Sequence, residues 1–220
     1  MCGRIVRTSP REVVRDAFGV EPPPEVDLAP RYNICPGDAL VTLAARRDGE
    51  RRIGTLRWGL VPSFASDPAA GPRSINARAE TVAERPAFRD AFRRRRCLVL
   101  ADGFYEWRRD GTTRMPYFVF LRSRRPFAFA GIWERWRSPA GEALATCAII
   151  TCAPNALVAP IHDRMPVILP AAAHDRWLDP QLEDPRALLR PYPEGEMDAH
   201  LVSSLVNSPR NDSAECIRRV

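Results

Sequence analysis

Short apolar runs separated by turn residues recur along this 220-residue chain and constrain its fold more than any other feature. Asp48-Gly49 and Asp110-Gly111 each lie between two such runs. Asp-Gly between apolar runs is a strong hairpin signal, because glycine readily adopts the positive φ that two-residue turns require. The pattern therefore predicts antiparallel strands joined by tight turns.

The remaining segments extend this β-rich pattern. Strands are predicted at 5–6, 40–44, 53–58, 97–100, 103–108, 117–121, 127–133, 144–151 and 200–203. Helices are predicted at 10–18, behind a capping box that starts at Ser9, and at 81–95, 171–178 and 185–189. Because strands outnumber helices and hairpin turns recur, we predict a single α+β domain over residues 1–220. Its sheet should be mainly antiparallel, strongly curved and barrel-like, with a few flanking helices.

Composition excludes several classes of protein. Hydrophobic residues make up 45% of the chain, which is typical of a globular protein. No apolar run approaches the ~18 residues of a membrane span, and the arginine-rich start is unlike a secretory signal. The six cysteines and three histidines lack the usual zinc-ligand spacings. We expect a cytoplasmic, nucleoid-associated monomer without a metal, a cofactor or a membrane partner.

The basic residues are unusual because all 33 are arginine and none is lysine. The net charge of +6 favours a polyanionic partner, although a coding bias toward arginine would shift the charge equally. A run of four arginines, 93–96, is predicted to be a solvated helix end.

Cys2 carries the most distinctive chemistry. Removal of Met1 would expose an α-amine beside the Cys2 thiol, and no lysine offers another primary amine. An α-amine has a pKa of about 7.7–8.0, so a useful fraction is neutral and nucleophilic near pH 7. A 1,2-aminothiol condenses with an aldehyde to an imine, which the thiol then closes to a thiazolidine ring.

Three polar blocks carry further candidates. Asn76 and Arg78 stand in a short polar block after a long loop, and His162 is a natural proton shuttle. Glu106 follows Phe104 and Tyr105 in a predicted strand, where Phe104 and Glu106 share one face. A carboxylate among aromatic side chains should have a raised pKa and could act as an acid near neutral pH.

These blocks together resemble the SOS-response-associated peptidase family, whose members are also called abasic-site processing proteins. The resemblance rests on five blocks in family order: Met1-Cys2-Gly3-Arg4, Asn76-Ala77-Arg78-Ala79-Glu80-Thr81, Gly103-Phe104-Tyr105-Glu106-Trp107, Phe129-Ala130-Gly131-Ile132-Trp133-Glu134 and His162-Asp163-Arg164-Met165-Pro166. It implies capture of the ring-opened aldehyde of an abasic site in single-stranded DNA by Cys2, as a shielding thiazolidine crosslink. Lyase-type and self-processing peptidase activities are implied as well.

The resemblance also implies roles for individual residues. Glu106 would move protons during ring opening and imine formation, and His162 would assist proton transfer and crosslink reversal. Asn76 would hold the Cys2 end in position.

DNA contacts are implied by the same resemblance. Arg4 and Arg78 would contact phosphates, Trp58 would contribute to DNA binding, and Phe64 would stack on a base. Phe64 stands where the family commonly has tryptophan, which keeps a stacking face of smaller area.

Three alternatives remain open on the residues alone. Glutamine amidotransferases with an N-terminal nucleophile also begin Met-Cys-Gly, but their Arg-Gly-Pro-Asp and Asn-Gly-Glu stretches are missing. Cys2, His162 and Glu106 could instead form a true peptidase. A single-stranded DNA-binding module without chemistry would use the same arginines and aromatic residues.

Overall fold

Five strands of the computed structural model close into a barrel, and the structure describes residues 2–46, 48–68 and 74–220. The barrel strands are β3 (Ala39–Ala45), β4 (Arg51–Trp58), β6 (Arg96–Ala101), β9 (Phe127–Arg137) and β10 (Ala143–Cys152). Their order is β10-β4-β3-β6-β9, and β9 pairs back onto β10. Only the β4–β10 contact within this ring is parallel. Closure leaves the ring without a free edge, which removes the usual route to edge-to-edge aggregation.

Small residues allow the barrel wall to close tightly. A Cβ atom placed on Gly131 in β9 would lie 2.8 Å from the Cys97 sulfur and 2.9 Å from a Val99 methyl carbon. Real side-chain contacts are essentially never that short, so this position in the family block requires glycine.

A second sheet of five strands packs beside the barrel. Its strands are β1 (Ile5–Arg7), β2 (Arg31–Ile34), β7 (Gly103–Asp110), β8 (Thr113–Leu121) and β13 (Met197–Leu201), in the order β13-β8-β7-β1-β2. Strand β7 joins two hydrophobic clusters, because alternate side chains point to opposite faces. Phe104 packs against Phe129 of the barrel, with 5.9 Å between ring centroids, while Tyr105 packs against Phe118 at 5.5 Å.

Short elements complete the fold. Strands β5 (Asn76–Arg78) and β11 (Met165–Pro166) pair with β10, and β12 (Ile168–Leu169) pairs with β9. The helices are α1 (Arg11–Phe18), α2 (Arg89–Arg94) and α3 (His174–Leu178), with short 3-10 turns elsewhere. Within the described ranges, no helix has the length and apolar character needed to cross a membrane.

The predicted fold class is confirmed, and so are both Asp-Gly hairpins. The predicted helix 81–95 is too long, because residues 81–88 form turns and only Arg89–Arg94 are α-helical. The closing strand begins at Met197 rather than at residue 200. Strands β2, β5, β11 and β12 are too short to have given a periodic signal. Residues 69–73 of the long predicted loop lie outside the described residues.

Two local predictions were wrong because the side chains concerned form tertiary hydrogen bonds. Ser9 does not cap α1, since its hydroxyl donates to the Asp102 carboxylate, which also accepts the backbone N–H of Thr8 and of Ser9. Arg96 is not solvated: it is 6% exposed, and its guanidinium donates to backbone carbonyls that include those of Phe92 and Trp177.

Candidate functional site

The pairing of β1 with β7 brings the N-terminal segment alongside Glu106. Ile5 lies opposite Phe104, and the Tyr105 N–H donates to the Arg4 carbonyl at 3.0 Å. Residues 2–4 precede β1, and the charge of Glu106 acts on the Cys2 thiol, so Cys2 lies near Glu106. The sequence blocks around Cys2 and Glu106, about a hundred residues apart, therefore meet through ordinary strand pairing.

Asn76 reaches the same point from the barrel. It opens strand β5, which runs parallel to β10 with Asn76 opposite Ile149. Its amide Nδ2 donates to the Cys2 carbonyl at 2.7 Å. The Asn76 Oδ1 atom is buried and accepts no hydrogen bond from the described residues. Asn76 thus holds the Cys2 carbonyl through Nδ2, while its Oδ1 atom can still accept a hydrogen bond.

Glu106 is a buried carboxylate, with only 1% of its surface exposed. Desolvation by this burial raises the pKa of Glu106 to about 7. Near neutral pH both protonation states are therefore populated, as a group that gives and takes protons requires. The raised pKa predicted from the aromatic neighbours is confirmed.

His162 faces Glu106 from the loop that follows β10. Its Nε2 atom lies 3.9 Å from Oε2 of Glu106. Its Nδ1 atom lies 3.0 Å from the Arg164 backbone nitrogen and 2.9 Å from a carboxylate oxygen of Asp163. Burial lowers the pKa of His162, so the neutral ring predominates at pH 7. The Nε2 atom of a neutral imidazole therefore faces the carboxylate of Glu106.

Arg164 anchors this loop, and it had not been singled out as a functional candidate. Its guanidinium donates to both carboxylate oxygens of Glu80, at 2.7 and 2.9 Å, and to the Thr151 carbonyl at 2.6 Å. Glu80 follows β5 and Thr151 belongs to β10, so Arg164 ties the His162 loop to two elements. The sequence block His162-Asp163-Arg164 draws attention to Arg164, but it does not indicate that Glu80 is the partner of Arg164.

The Cys2 thiol is fully buried within the main hydrophobic cluster. Desolvation, and secondarily the negative charge of Glu106, raises the pKa of the Cys2 thiol far above its usual range. Cys2 thus holds its proton at neutral pH, and thiolate formation there requires a nearby proton acceptor. Cys97, Cys147, Cys152 and Cys216 are also buried, whereas Cys35 is partly exposed.

The Arg4 guanidinium is hydrogen-bonded to acceptors within the protein. Its Nη1 donates to Asn33 Oδ1 at 2.7 Å and to the Val206 carbonyl at 2.6 Å, while Nη2 donates to the Asn207 carbonyl at 3.2 Å. These contacts orient the segment that carries Cys2. The predicted phosphate contact of Arg4 stays a prediction.

The other three predicted DNA contacts occupy different environments. Arg78 is exposed, and its guanidinium pairs with no carboxylate in the described part of the chain. Phe64 is 68% exposed, so its ring is free to stack. Trp58 is 1% exposed and its indole N–H donates to the Ile75 carbonyl at 2.9 Å. The prediction that Trp58 contacts DNA is wrong, because its buried ring has no free face.

The site offers proton-transfer groups rather than a metal cage. Across residues 2–46, 48–68 and 74–220, no cluster of three or more histidine, cysteine, aspartate or glutamate side chains could hold a metal ion. Asn76, Glu106 and His162 surround the N-terminal segment at Cys2. A buried acid–base pair beside a potential aminothiol suits condensation with a carbonyl compound.

The sequence also matches known proteins. Residues 1–209 match the family described as SOS response associated peptidase (SRAP). Abasic site processing protein YoqW of Bacillus subtilis is 45% identical over 223 residues, covering 99% of both chains. Abasic site processing protein HMCES of Mus musculus is 33% identical over 266 residues, covering 99% of this chain and 75% of that protein.

The fold has a solved counterpart as well. A crystal structure of a protein from Bacteroides thetaiotaomicron superimposes with a TM-score of 0.89 at 26% identity, and all of both chains is covered. Together, the sequence match and the fold establish that the chain belongs to the SOS response associated peptidase (SRAP) family.

Proposed function

We propose that this protein, acting as one domain, captures abasic sites in single-stranded DNA as a covalent thiazolidine crosslink at Cys2. The relatives named abasic site processing protein support the abasic-site substrate. The single observation that carries the chemistry is the buried carboxylate of Glu106 beside the N-terminal segment of a chain that lacks lysine. Such a substrate would bring the protein to the nucleoid.

The reaction begins after Met1 has been removed, which is the self-processing peptidase step of the proposal. The neutral Cys2 amine adds to the aldehyde of the ring-opened sugar to give a carbinolamine. Loss of one water then leaves an imine. The Cys2 thiol adds across the C=N bond, so that a C–S bond forms and the thiol proton ends on the ring nitrogen. The net change is one aldehyde and one aminothiol converted to one thiazolidine and one water.

Glu106 supplies the acid and base steps. Its protonated form donates to the departing hydroxyl of the carbinolamine, and its ionised form then accepts a proton from the Cys2 thiol. Both forms exist near neutral pH because its pKa is about 7. The buried thiol requires such an acceptor, since its own pKa is strongly raised.

His162 and Asn76 complete the site. His162, whose Nε2 atom lies 3.9 Å from Oε2 of Glu106, can take a proton from the Glu106 carboxyl group and return it as the imidazolium, which supports reversal of the crosslink. Asn76 holds the Cys2 carbonyl, and its Oδ1 atom can accept a hydrogen bond from the Cys2 α-amine once Met1 has been removed. Exposed Arg78 and Phe64 suit phosphate and base contacts in a single strand.

The test is denaturing electrophoresis of the mature protein mixed with single-stranded DNA that carries one abasic site. Wild type should give a crosslink that survives denaturation, whereas Cys2→Ala should give no stable product. Cys2→Ser keeps the amine but cannot form the thiazolidine, so only a labile, reducible imine should form, with lyase-type strand cleavage as its competing outcome. Crosslinking by Cys2→Ala equal to wild type would refute the proposal, as would retention of Met1 in the active protein by intact mass.

A non-covalent DNA-binding module is the second candidate, favoured by exposed Arg78 and Phe64. It predicts DNA retention that salt abolishes and denaturant disrupts, with no dependence on the identity of residue 2. The same gel separates the two, because only the covalent proposal yields a shifted band in denaturant.

A further inference from the structure

A groove on the barrel wall lies outside the Cys2 site and has no part in the proposed reaction. It has a volume of about 710 Å³ and shares no lining residue with the cluster of Cys2, Asn76, Glu106 and His162. This volume falls within the roughly 300–1,000 Å³ that is typical of small-molecule sites. Strands β3 and β4 form one side, and the end of α2 with Trp133 of β9 forms the other.

Gly54 leaves the floor of this groove open. It lies in the middle of β4 opposite Thr42, with an ordinary strand backbone, and a Cβ atom there would meet no atom within 4 Å. A glycine in a strand interior gives up packing and conformational stability. Neither the backbone conformation nor crowding requires glycine at position 54. The effect of this glycine is to leave space in the groove.

Trp133 differs from the other tryptophans in its hydrogen bonding. The indole N–H groups of Trp58, Trp107, Trp136 and Trp177 each donate to an oxygen of the chain. The Trp133 N–H donates to no described residue, and its side chain is only partly buried in the groove wall. A buried or half-buried indole N–H usually has a partner, so Trp133 offers both a ring surface and an unused donor.

Four arginines line the same groove, at positions 46, 52, 94 and 95. Arg94 is exposed and pairs with no carboxylate among the described residues, while Arg95 is held by Glu134 at 2.5 Å. Arg46 and Arg52 form only exposed ion pairs, which contribute little and exchange partners readily. Three guanidinium groups are thus available to a multiply charged anion.

We propose that this groove binds a free nucleotide, with the phosphate on Arg46, Arg52 and Arg94 and the base against Trp133 over Gly54. Guanidinium forks match phosphate oxygens, and an indole face with an N–H donor matches a heteroaromatic ring that carries acceptors. A cavity of this size favours one nucleotide over a nucleic-acid strand, because strand-binding grooves extend along several nucleotides. The proposal does not depend on the abasic-site reaction.

The test is calorimetric titration of the full-length protein with AMP at low ionic strength. Wild type should bind AMP, while Gly54→Leu, which fills the floor, and Arg94→Ala, which removes a phosphate donor, should each weaken binding about 10-fold or more. Two matched controls lie outside the groove: Gly195→Leu, also at an open glycine, and Arg93→Ala, next to Arg94 on α2. Both controls should bind AMP within about twofold of wild type.

Further arms separate this proposal from its rivals. Inorganic phosphate should bind much more weakly than AMP, and an unmodified deca-thymidylate should not displace AMP. Crosslinking of abasic DNA by Gly54→Leu should equal that of wild type. Absence of AMP binding, AMP affinity unchanged in Gly54→Leu and Arg94→Ala, equal affinity for phosphate, or displacement by the oligonucleotide would each overturn the proposal. Circular dichroism checks the fold of Gly54→Leu, and if that variant does not fold, Arg94→Ala decides.

Discussion

Glu106 combines two requirements that oppose each other, a buried position and a charge. Its carboxyl group lies between the N-terminal segment and His162, where burial disfavours the ionised form. A carboxylate at the surface would titrate near pH 4.3 and would be a poor acid at neutral pH. Burial therefore makes Glu106 a better acid at neutral pH, and it also lowers the stability of the fold when Glu106 is ionised.

The first prediction concerns the dependence of folding stability on pH. The pKa of Glu106 is about 7 in the folded protein and about 4.3 in the unfolded chain. Since the folded state binds the proton more tightly, this group's contribution to stability is present below about pH 4.3 and is lost as the pH rises through 7. The loss is at most about 4 kcal/mol. Glu106→Gln should therefore remove most of this decrease in stability.

Urea unfolding at pH 5 and pH 8 measures the effect. Wild type should lose more stability between these two values than Glu106→Gln does, and the variant should be the more stable of the two at pH 8. Glu142→Gln, at an exposed glutamate in a loop, serves as the control and should follow wild type. If Glu106→Gln shows the same pH dependence as wild type, the buried carboxylate is not the titrating group.

At the scale of elements, local patterns predicted strands well and polar partners poorly. The alternation in β7 correctly assigned Phe104 and Glu106 to one face, because strand geometry fixes that alternation. The partner of Ser9 could not be found, since Asp102 lies far along the chain and competes with the local cap. The candidate residues could be named from motifs, but the pairing of β1 with β7 that brings Cys2 to Glu106 depends on the whole fold.

The loop between β10 and β11 depends on Arg164, which yields the second prediction. Arg164→Ala removes a two-pronged ion pair to Glu80 and a bond to the Thr151 carbonyl, with the Arg164 side chain only 15% exposed. We expect a loss of about 1–3 kcal/mol in stability. Crosslinking should slow about 10-fold, because His162 is no longer held toward Glu106.

Rates measured across pH distinguish positioning from general weakening. Arg164→Lys should restore part of the rate, since one cation still reaches Glu80, and the pH profile of Arg164→Ala should lose the contribution of His162. Arg186→Ala, which breaks the exposed pair with Asp184, is the matched control and should leave both stability and rate unchanged. A wild-type crosslinking rate and pH profile for Arg164→Ala would contradict a positioning role.

At the scale of the whole molecule, the two ends of the chain are joined at Asn33 in β2. Asn33 is 1% exposed. Its Nδ2 lies within hydrogen-bond distance of the carbonyls of Val206, Ser208 and Asn211, at 3.2, 3.0 and 2.7 Å. Its Oδ1 accepts from Arg4, two residues after Cys2. The C-terminal tail therefore supports the segment that carries the proposed nucleophile, which no local pattern around Asn33 could have indicated.

The third prediction follows from this connection. Asn33→Ala removes the side-chain donor to the Ser208 and Asn211 carbonyls and one of the three acceptors of the Arg4 guanidinium, so it should cost about 2–4 kcal/mol of stability. The tail after residue 202 should become sensitive to limited proteolysis, and crosslinking should slow because Arg4 is less firmly held. Asn207→Ala, which removes only an exposed bond to the Trp107 indole, is the matched control and should change stability by less than about 1 kcal/mol. A protease-resistant tail in Asn33→Ala, with thermal unfolding like that of wild type, would show that the ends of the chain are held by other contacts.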